Sequence, residues 1–296
     1  YNITMVNYLR DLVVCLARYY DRKCLEYVEI GHFHRLFPLE NNELDRRNVK
    51  EKIDVLLIDE GQDFQRSWVE ILQSICNSNY HLFFCEDRRQ NIYGTESMPL
   101  GAGRPNELKK SFRIPAKTAQ LANYLYDWAN IEGKEEKVEG KDQLQIDLFV
   151  KNIWFNGNKK ECLDTIQKDI ENLIKDKNTA RADIAILVCT VEDGWQVCDV
   201  LKTLSLPYQK NFESKEEFYQ LKQISQKEGW DKEFFKKKRQ ALQRCYKVGF
   251  WMQGGMIKVC TIHSFKGWEL SNILILFNPE KEQEETKYQL LYTAIT

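Results

Sequence analysis

An α/β architecture of parallel sheets flanked by helices, divided between two domains, is predicted for this chain of 296 residues. Three observations carry that expectation. Short apolar runs at Val55–Ile58, His81–Cys85 and Ile184–Cys189 have the length and composition of strands buried on both faces. Segments with apolar residues at helical spacing lie between them, and strand–helix–strand alternation is the pattern of a parallel sheet. Finally, Pro99, Gly101, Gly103 and Pro105 cluster within residues 95–107, the clearest break in the chain. At roughly 150 residues per domain the length suits two, so the expected domains are 1–103 and 104–296.

Taken in order, Met5, Leu9, Leu12, Leu16 and Tyr19 mark an amphipathic helix. Val55–Ile58 then makes a strand that ends in Asp59-Glu60. Trp68, Ile71, Leu72 and Ile75 share a helix face, and the strand His81–Cys85 runs into Glu86-Asp87. Beyond the break, a helix is expected over 116–129 and a solvated loop over the charged stretch 132–143. A strand near 146–155, a helix bearing Leu163, Ile166, Ile170 and Leu173, the strand Ile184–Cys189 and a helix near 194–204 repeat the rhythm. A charged amphipathic insertion near 213–247, with room for two or three helices, precedes strands at 256–261 and 272–277.

Composition narrows the function classes. The 43 Lys and Arg against 44 Asp and Glu leave a formal charge of −1, so no global basic field points to nucleic acid or to a membrane surface. Such binding must be local. Apolar runs such as Ile273–Phe277 are far below the ~20 residues of a membrane span, and no membrane partner is expected. Nine cysteines, odd in number and never spaced C-x-x-C, favour reduced thiols in the cytoplasm over disulfides or zinc. His32 and His34 form an H-x-H pair with no cysteine or carboxylate cluster at ligand spacing nearby, which favours a structural role. The chain opens on Tyr1 and closes on Thr296 without a start methionine or a terminal linker, and a fragment is expected.

Four segments carry chemistry. In Val55–Asp63, adjacent acids at the carboxyl end of a buried strand suit a nucleotide site, one carboxylate holding Mg²⁺ and the next activating water. Gln90, in the turn Glu86–Tyr93 after the second strand, is placed to sense a γ-phosphate and its attacking water. Arg113, in Leu108–Pro115 at the start of the second domain, has the position of an arginine finger. Thr261–Glu269 interrupts two apolar strands with polar groups, a glycine turn and an acid. Each segment taken alone also reads as an ordinary polar loop capping a strand.

In this order, the four resemble the motifs of UvrD/Rep-type superfamily 1 helicases. Asp59–Asp63 resembles the Walker B motif D-E-x-Q-D. Asp87–Tyr93 is similar to G-D-x-x-Q-S-I-Y, with Glu86 for glycine and Asn91 for serine. Leu108–Arg113 resembles L-x-x-N-Y-R, and Thr261–Glu269 resembles T-x-H-x-x-K-G-L-E with Trp268 for leucine. Leu290–Thr296 is similar to the start of L-L-Y-V-A-x-T-R. Tyr1-Asn2 and Phe33-His34 resemble two earlier family segments.

The resemblance implies two RecA-like domains of the P-loop NTPase type, ATP and Mg²⁺ in the cleft between them, and single-stranded DNA or DNA junctions as partner. It implies that Asp59 holds Mg²⁺, Glu60 activates water, Gln90 and Arg113 touch the γ-phosphate and Glu269 approaches the nucleotide sugar. Tyr1, Asn2, His34, Thr261 and His263 would lie near DNA. Further domains or a partner protein are also expected. The sequence departs from the family in holding no G-x-x-x-x-G-K-[ST] loop. It has no tryptophan among Tyr93–Glu96 to stack on a base, a role then left to Phe64, Phe112 or Trp268.

Within the insertion, Lys232, Lys236, Lys237, Lys238, Arg239, Arg244 and Lys247 interleave with Phe234, Phe235 and Leu242. Such a face can follow a DNA backbone or simply be solvated. The expected function is the motor core of an ATP-driven single-stranded DNA translocase or helicase. The alternative is an inactive helicase-like scaffold that binds DNA or protein.

Overall fold

The computed structural model describes residues 3–20, 22–28, 30, 33, 37, 39–40, 43–44, 52–96, 106, 108, 110–128, 139–141, 151–176, 178–252, 254–278 and 287–296. The chain first forms α1 (Ile3–Tyr19), β1 (Leu39–Glu40), β2 (Glu43–Leu44), β3 (Ile53–Ile58), α2 (Arg66–Ser74), β4 (Cys76–Phe84), β5 (Lys110–Pro115), α3 (Ala116–Trp128) and β6 (Glu139–Lys141). There follow α4 (Lys159–Glu171), β7 (Ile184–Val188), α5 (Val191–Thr203), β8 (Tyr208–Lys210), α6 (Lys215–Glu228), α7 (Lys232–Val248), β9 (Ile257–Thr261), α8 (Ile262–Phe265), β10 (Asn272–Leu276) and α9 (Lys287–Ile295). These elements fall into two compact units. One joins Tyr1–Leu36 to Phe155–Lys281, and the other joins Phe37–Trp154 to Glu282–Thr296.

The first unit holds a four-stranded sheet in the order β10-β7-β9-β8, every neighbouring pair parallel. Parallel neighbours require crossover connections, and helices supply them. All five residues of β7 are buried, as its unbroken Ile-Ala-Ile-Leu-Val run predicts for an inner strand covered on both faces. Ile184, Ile186 and Val188 share a core with Ile166 and Ile170 of α4, Trp195, Val197, Cys198 and Leu201 of α5, and Ile257 and Val259 of β9. Gly194 lies where a Cβ would come within 2.3 Å of the Phe212 ring, so only glycine lets α5 approach so closely.

The charged insertion forms two helices. A capping box between Ser214 and Glu217 starts α6, left-handed Gly229 (φ 67°) ends it, and the Asp231 carboxylate caps α7 through the Phe234 amide. Arg239 of α7 reaches the wholly buried Glu213 at 2.6 Å and lies 4.6 Å from the Phe218 ring centroid. The Tyr246 hydroxyl donates to Glu217. These contacts hold the two helices of the insertion together, while Arg239 also reaches Glu192 of α5 at 3.5 Å and Phe218 packs 5.3 Å from the Trp195 ring of the same helix.

In the second unit β3 and β4 pair in parallel, Leu56 opposite Leu82 and Ile58 opposite Phe84. The expectation of a strand buried on both faces fails for β3. Leu56 and Ile58 are buried, but Val55 and Leu57 are exposed, with Phe83 of β4 exposed beside them. Burial here alternates with the two-residue period of a strand, because one face of this two-stranded ribbon is exposed. Two further expectations change. Glu139–Lys141, expected in a loop, pairs in parallel with β5. Residues 151–155, expected at the end of a strand, carry no regular structure, and Ile153 and Trp154 are mostly exposed. Residues 142–150 and most of the 95–107 break lie outside the described residues.

Candidate functional site: a carboxylate relay at the ends of two parallel strands

The register of β3 and β4 brings Asp59-Glu60 and Glu86-Asp87 to the same end of the pair. Past the last strand residues the backbone stays stitched, Cys85 N donating to Ile58 O and Gly61 N to Cys85 O, both at 2.8 Å. Glycine is required at 61, since a Cβ there would fall 2.3 Å from the Phe84 ring. The chain turns at Glu60, which adopts the left-handed conformation (φ 54°) that non-glycine residues rarely take and that is enriched at functional sites. Its amide donates to Asp59 Oδ1 at 3.0 Å.

Gln62 organises what surrounds it. Its side chain, only 4% exposed, donates from Nε2 to Glu60 Oε2 at 2.6 Å and accepts the Asp87 amide on Oε1 at 2.9 Å. Asp87 in turn accepts from Gln90 Nε2 on Oδ2 at 3.2 Å, and from the Arg89 amide and Nε on Oδ1. Gln90 also donates to Thr296 Oγ1 at 3.3 Å, and the Arg89 guanidinium lies 5.5 Å from the Tyr292 ring centroid. One chain of contacts thus runs from Glu60 through Gln62 and Asp87 to Gln90 and on to α9. Thr95 Oγ1 closes the loop on Gln62 O. Asp59 is exposed and Glu60 half-buried, so the acids face solvent while the groups that hold them lie behind.

In the first unit, β9 delivers Thr261 and His263 to the short turn of α8. The Thr261 hydroxyl donates to Ser264 Oγ at 3.0 Å. Burial pushes the His263 pKa down, and the neighbouring Lys247 and Lys266 charges push it the same way, so the imidazole is neutral near pH 7. Glu269 is exposed beyond the Gly267 turn, and Trp268 lies edge-on to Tyr8 of α1 at 5.3 Å. On α7, Lys236, Lys237 and Lys238 are exposed. Lys237 pairs with Glu233 at 3.2 Å, and Lys238 sits 5.1 Å from the Phe234 ring centroid.

Of the residues singled out from the sequence, Asp59, Glu60 and Gln90 are therefore joined in one network, while Thr261, His263 and Glu269 share a turn in the other unit. Arg113 lies on β5 with its side chain outside the described residues, as does that of Phe112; Tyr1, Asn2, His32 and His34 are outside them altogether. Gln62 and Asp87 join the network; both fall within the motif-like segments Asp59–Asp63 and Asp87–Tyr93, although the sequence assigned neither a role. Among the described residues no group of three or more His, Cys, Asp or Glu could hold a metal ion by itself, and no helix is long and apolar enough to cross a membrane.

Comparison with known proteins places this network in a family context. Residues 11–96, which contain both acid-bearing strand ends, match the UvrD/REP helicase N-terminal domain. Over these residues the chain is similar to the UvrD-type helicases. It is 27% identical to the A subunit of an ATP-dependent helicase/nuclease from Lactococcus lactis subsp. cremoris strain SK11, over 65% of this chain and 19% of that protein. It is also 27% identical to the exonuclease/helicase subunit RexA of Lactococcus lactis subsp. cremoris strain MG1363, over 57% of this chain and 14% of that protein. The chain thus spans about a fifth or less of the length of the curated relatives it matches.

Proposed function

We propose that this chain belongs to the motor core of an ATP-dependent single-stranded DNA translocase or helicase built on two RecA-like domains, residues 1–103 and 104–296. The observation that carries the proposal is the bonded path from Glu60 to Gln90. It ties a candidate general base to a candidate phosphate sensor through the buried Gln62. Glu60 is the water-activating base, Gln90 and Arg113 face the γ-phosphate, and Glu269 meets the nucleotide sugar. Asp59 suits Mg²⁺, which is commonly held by one or two carboxylates together with the nucleotide phosphates. Bound with the nucleotide, Mg²⁺ would neutralise charge developing on the transferred phosphoryl group.

Within the 296 residues no G-x-x-x-x-G-K-[ST] loop is present to supply the backbone cradle and lysine that such hydrolysis uses. The purified chain is therefore expected to show negligible ATP turnover, with or without DNA, in a phosphate-release assay. Robust DNA-stimulated turnover would refute that expectation. Loss of nucleotide binding in a longer form that carries such a loop would favour the scaffold reading instead.

For DNA, the proposal assigns Tyr1, Asn2, His34, Thr261, His263 and the exposed Lys236, Lys237 and Lys238 of α7. Replacing all three lysines by glutamine is expected to weaken binding of single-stranded DNA and to reduce its salt dependence by up to about 0.7 per lost phosphate contact. Basal ATP turnover of the motor should be unchanged. Lys237 is the weakest contributor of the three, because Glu233 already pairs with it. An unchanged salt slope in binding titrations would make this a solvated face.

A further inference from the structure

The apolar stripe read from the sequence of α1 does not face the body of its unit. The helix is seated by its other side: Ala17 is buried, Arg10 donates from Nε and Nη2 to Ile30 O at 3.1 and 2.7 Å, and Tyr8 lies edge-on to Trp268. Leu9, Leu12 and Leu16 are left 41%, 40% and 47% exposed, and Tyr19 82%. Their 3-4-3 spacing is that of a helix packed lengthwise on another helix. A bare apolar stripe of this kind marks an interaction surface.

The stripe carries no charge, and neither do Tyr8, Val13, Cys15 and Tyr20 along its edges, so a second identical face meets it without repulsion. It also fits its own reverse. Turned end for end about residue 14, Leu9 falls opposite the partner's Tyr19, and Leu12 opposite the partner's Leu16. The same rotation brings Asp11 to within one residue, about 1.5 Å along the axis, of the level of the partner's Arg18. Opposite charges then lie on the same side of the pair, whereas a parallel pairing sets Asp11 level with Asp11 and Arg18 level with Arg18.

We propose that α1 is a self-association surface, through which two copies of this chain pair with their α1 helices antiparallel. With Tyr20, the stripe exposes on the order of 500 Å² per copy, or about 1,000 Å² for the pair, at the low end for a specific interface. The dimer is therefore weak and reversible, with a dissociation constant on the order of 10 μM.

The test is sedimentation velocity of the full chain over concentrations that bracket this value. Leu12→Lys and Leu16→Glu are each expected to weaken the dimer by about tenfold or more, because each sets an unpaired charge against leucine. An equimolar mixture of the two variants is expected to restore it, since the antiparallel register alone places lysine 12 opposite glutamate 16. A chain that stays monomeric overturns the proposal and leaves the stripe to a helix of another protein. A dimer that survives both substitutions, or a mixture that stays monomeric, overturns it as well. Exposed Cys15 gives a readout that leaves the leucines intact. A short bismaleimide is expected to join two copies through Cys15, beside the two-fold axis, and the cross-linked product to disappear in Cys15→Ser. An undiminished product in Cys15→Ser overturns the antiparallel pairing.

Discussion

In a longer form of the protein that carries a phosphate-binding loop, Glu60→Gln is expected to lower ATP hydrolysis by on the order of 10² or more, with ATP and DNA binding largely retained. The left-handed turn and the Gln62 contact hold the Glu60 side chain at a defined position. A glutamine there keeps the shape, and its carbonyl oxygen can still accept from Gln62 Nε2. What it loses is the ability to take a proton from water. Turnover should therefore fall in a phosphate-release assay while nucleotide affinity, read by a fluorescent ATP analogue, stays near its original value.

Gln62→Leu probes the same bond from the other side. It removes the donor to Glu60 Oε2 and the acceptor of the Asp87 amide, so the base and the Gln90 turn lose their common tie. A positioning role predicts that kcat falls more than KM rises. Undiminished turnover in Glu60→Gln would dismiss it as the base.

The second large effect is on stability. Arg239→Ala is expected to destabilise the first unit by about 3–5 kcal/mol, the usual cost of leaving a buried ion without its partner. Glu213 is wholly buried, its Oε1 takes the Arg239 Nε at 2.6 Å, and its Oε2 has no hydrogen-bond partner. The backbone carbonyl of the same residue accepts from Trp195 Nε1 at 2.8 Å, so a disturbance at Glu213 is transmitted into the core around α5. Removing the guanidinium also strips the Phe218 ring of its cationic neighbour. Urea unfolding followed by tryptophan fluorescence measures the loss. Lys237→Ala is the comparison, because its exposed pair with Glu233 on the same helix is worth less than about 1 kcal/mol. Equal midpoints for the two variants would show that the buried pair contributes no more than the surface one.

Where the chain forms regular structure was legible wherever local physics decides it. The uninterrupted apolar run of β7 demands cover on both faces, and the structure buries it completely. The capping box of α6, its left-handed Gly229 end and the Asp231 cap of α7 are local devices, and the charged stretch expected to hold two or three helices folds as two. The acids after β3 and β4 were visible because they stop apolar runs abruptly, and both lie within the residues that match the UvrD/REP helicase N-terminal domain.

What needed the tertiary structure is everything set by a partner far away in sequence. Val55 and Leu57 read as core, yet are exposed, because burial of a strand depends on how many layers cover it. Glu139–Lys141 pairs with β5 because a backbone ladder does not require apolar side chains. Gln62 had a place in the Asp59–Asp63 segment but no partner until the β3–β4 register placed it between Glu60 and the Asp87 amide, 25 residues further on. Asn211 carries no motif at all. It becomes conspicuous only because folding buries both ends of its carboxamide without a hydrogen-bond partner, and hydrogen-bond satisfaction is a property of the packed molecule rather than of any window of sequence.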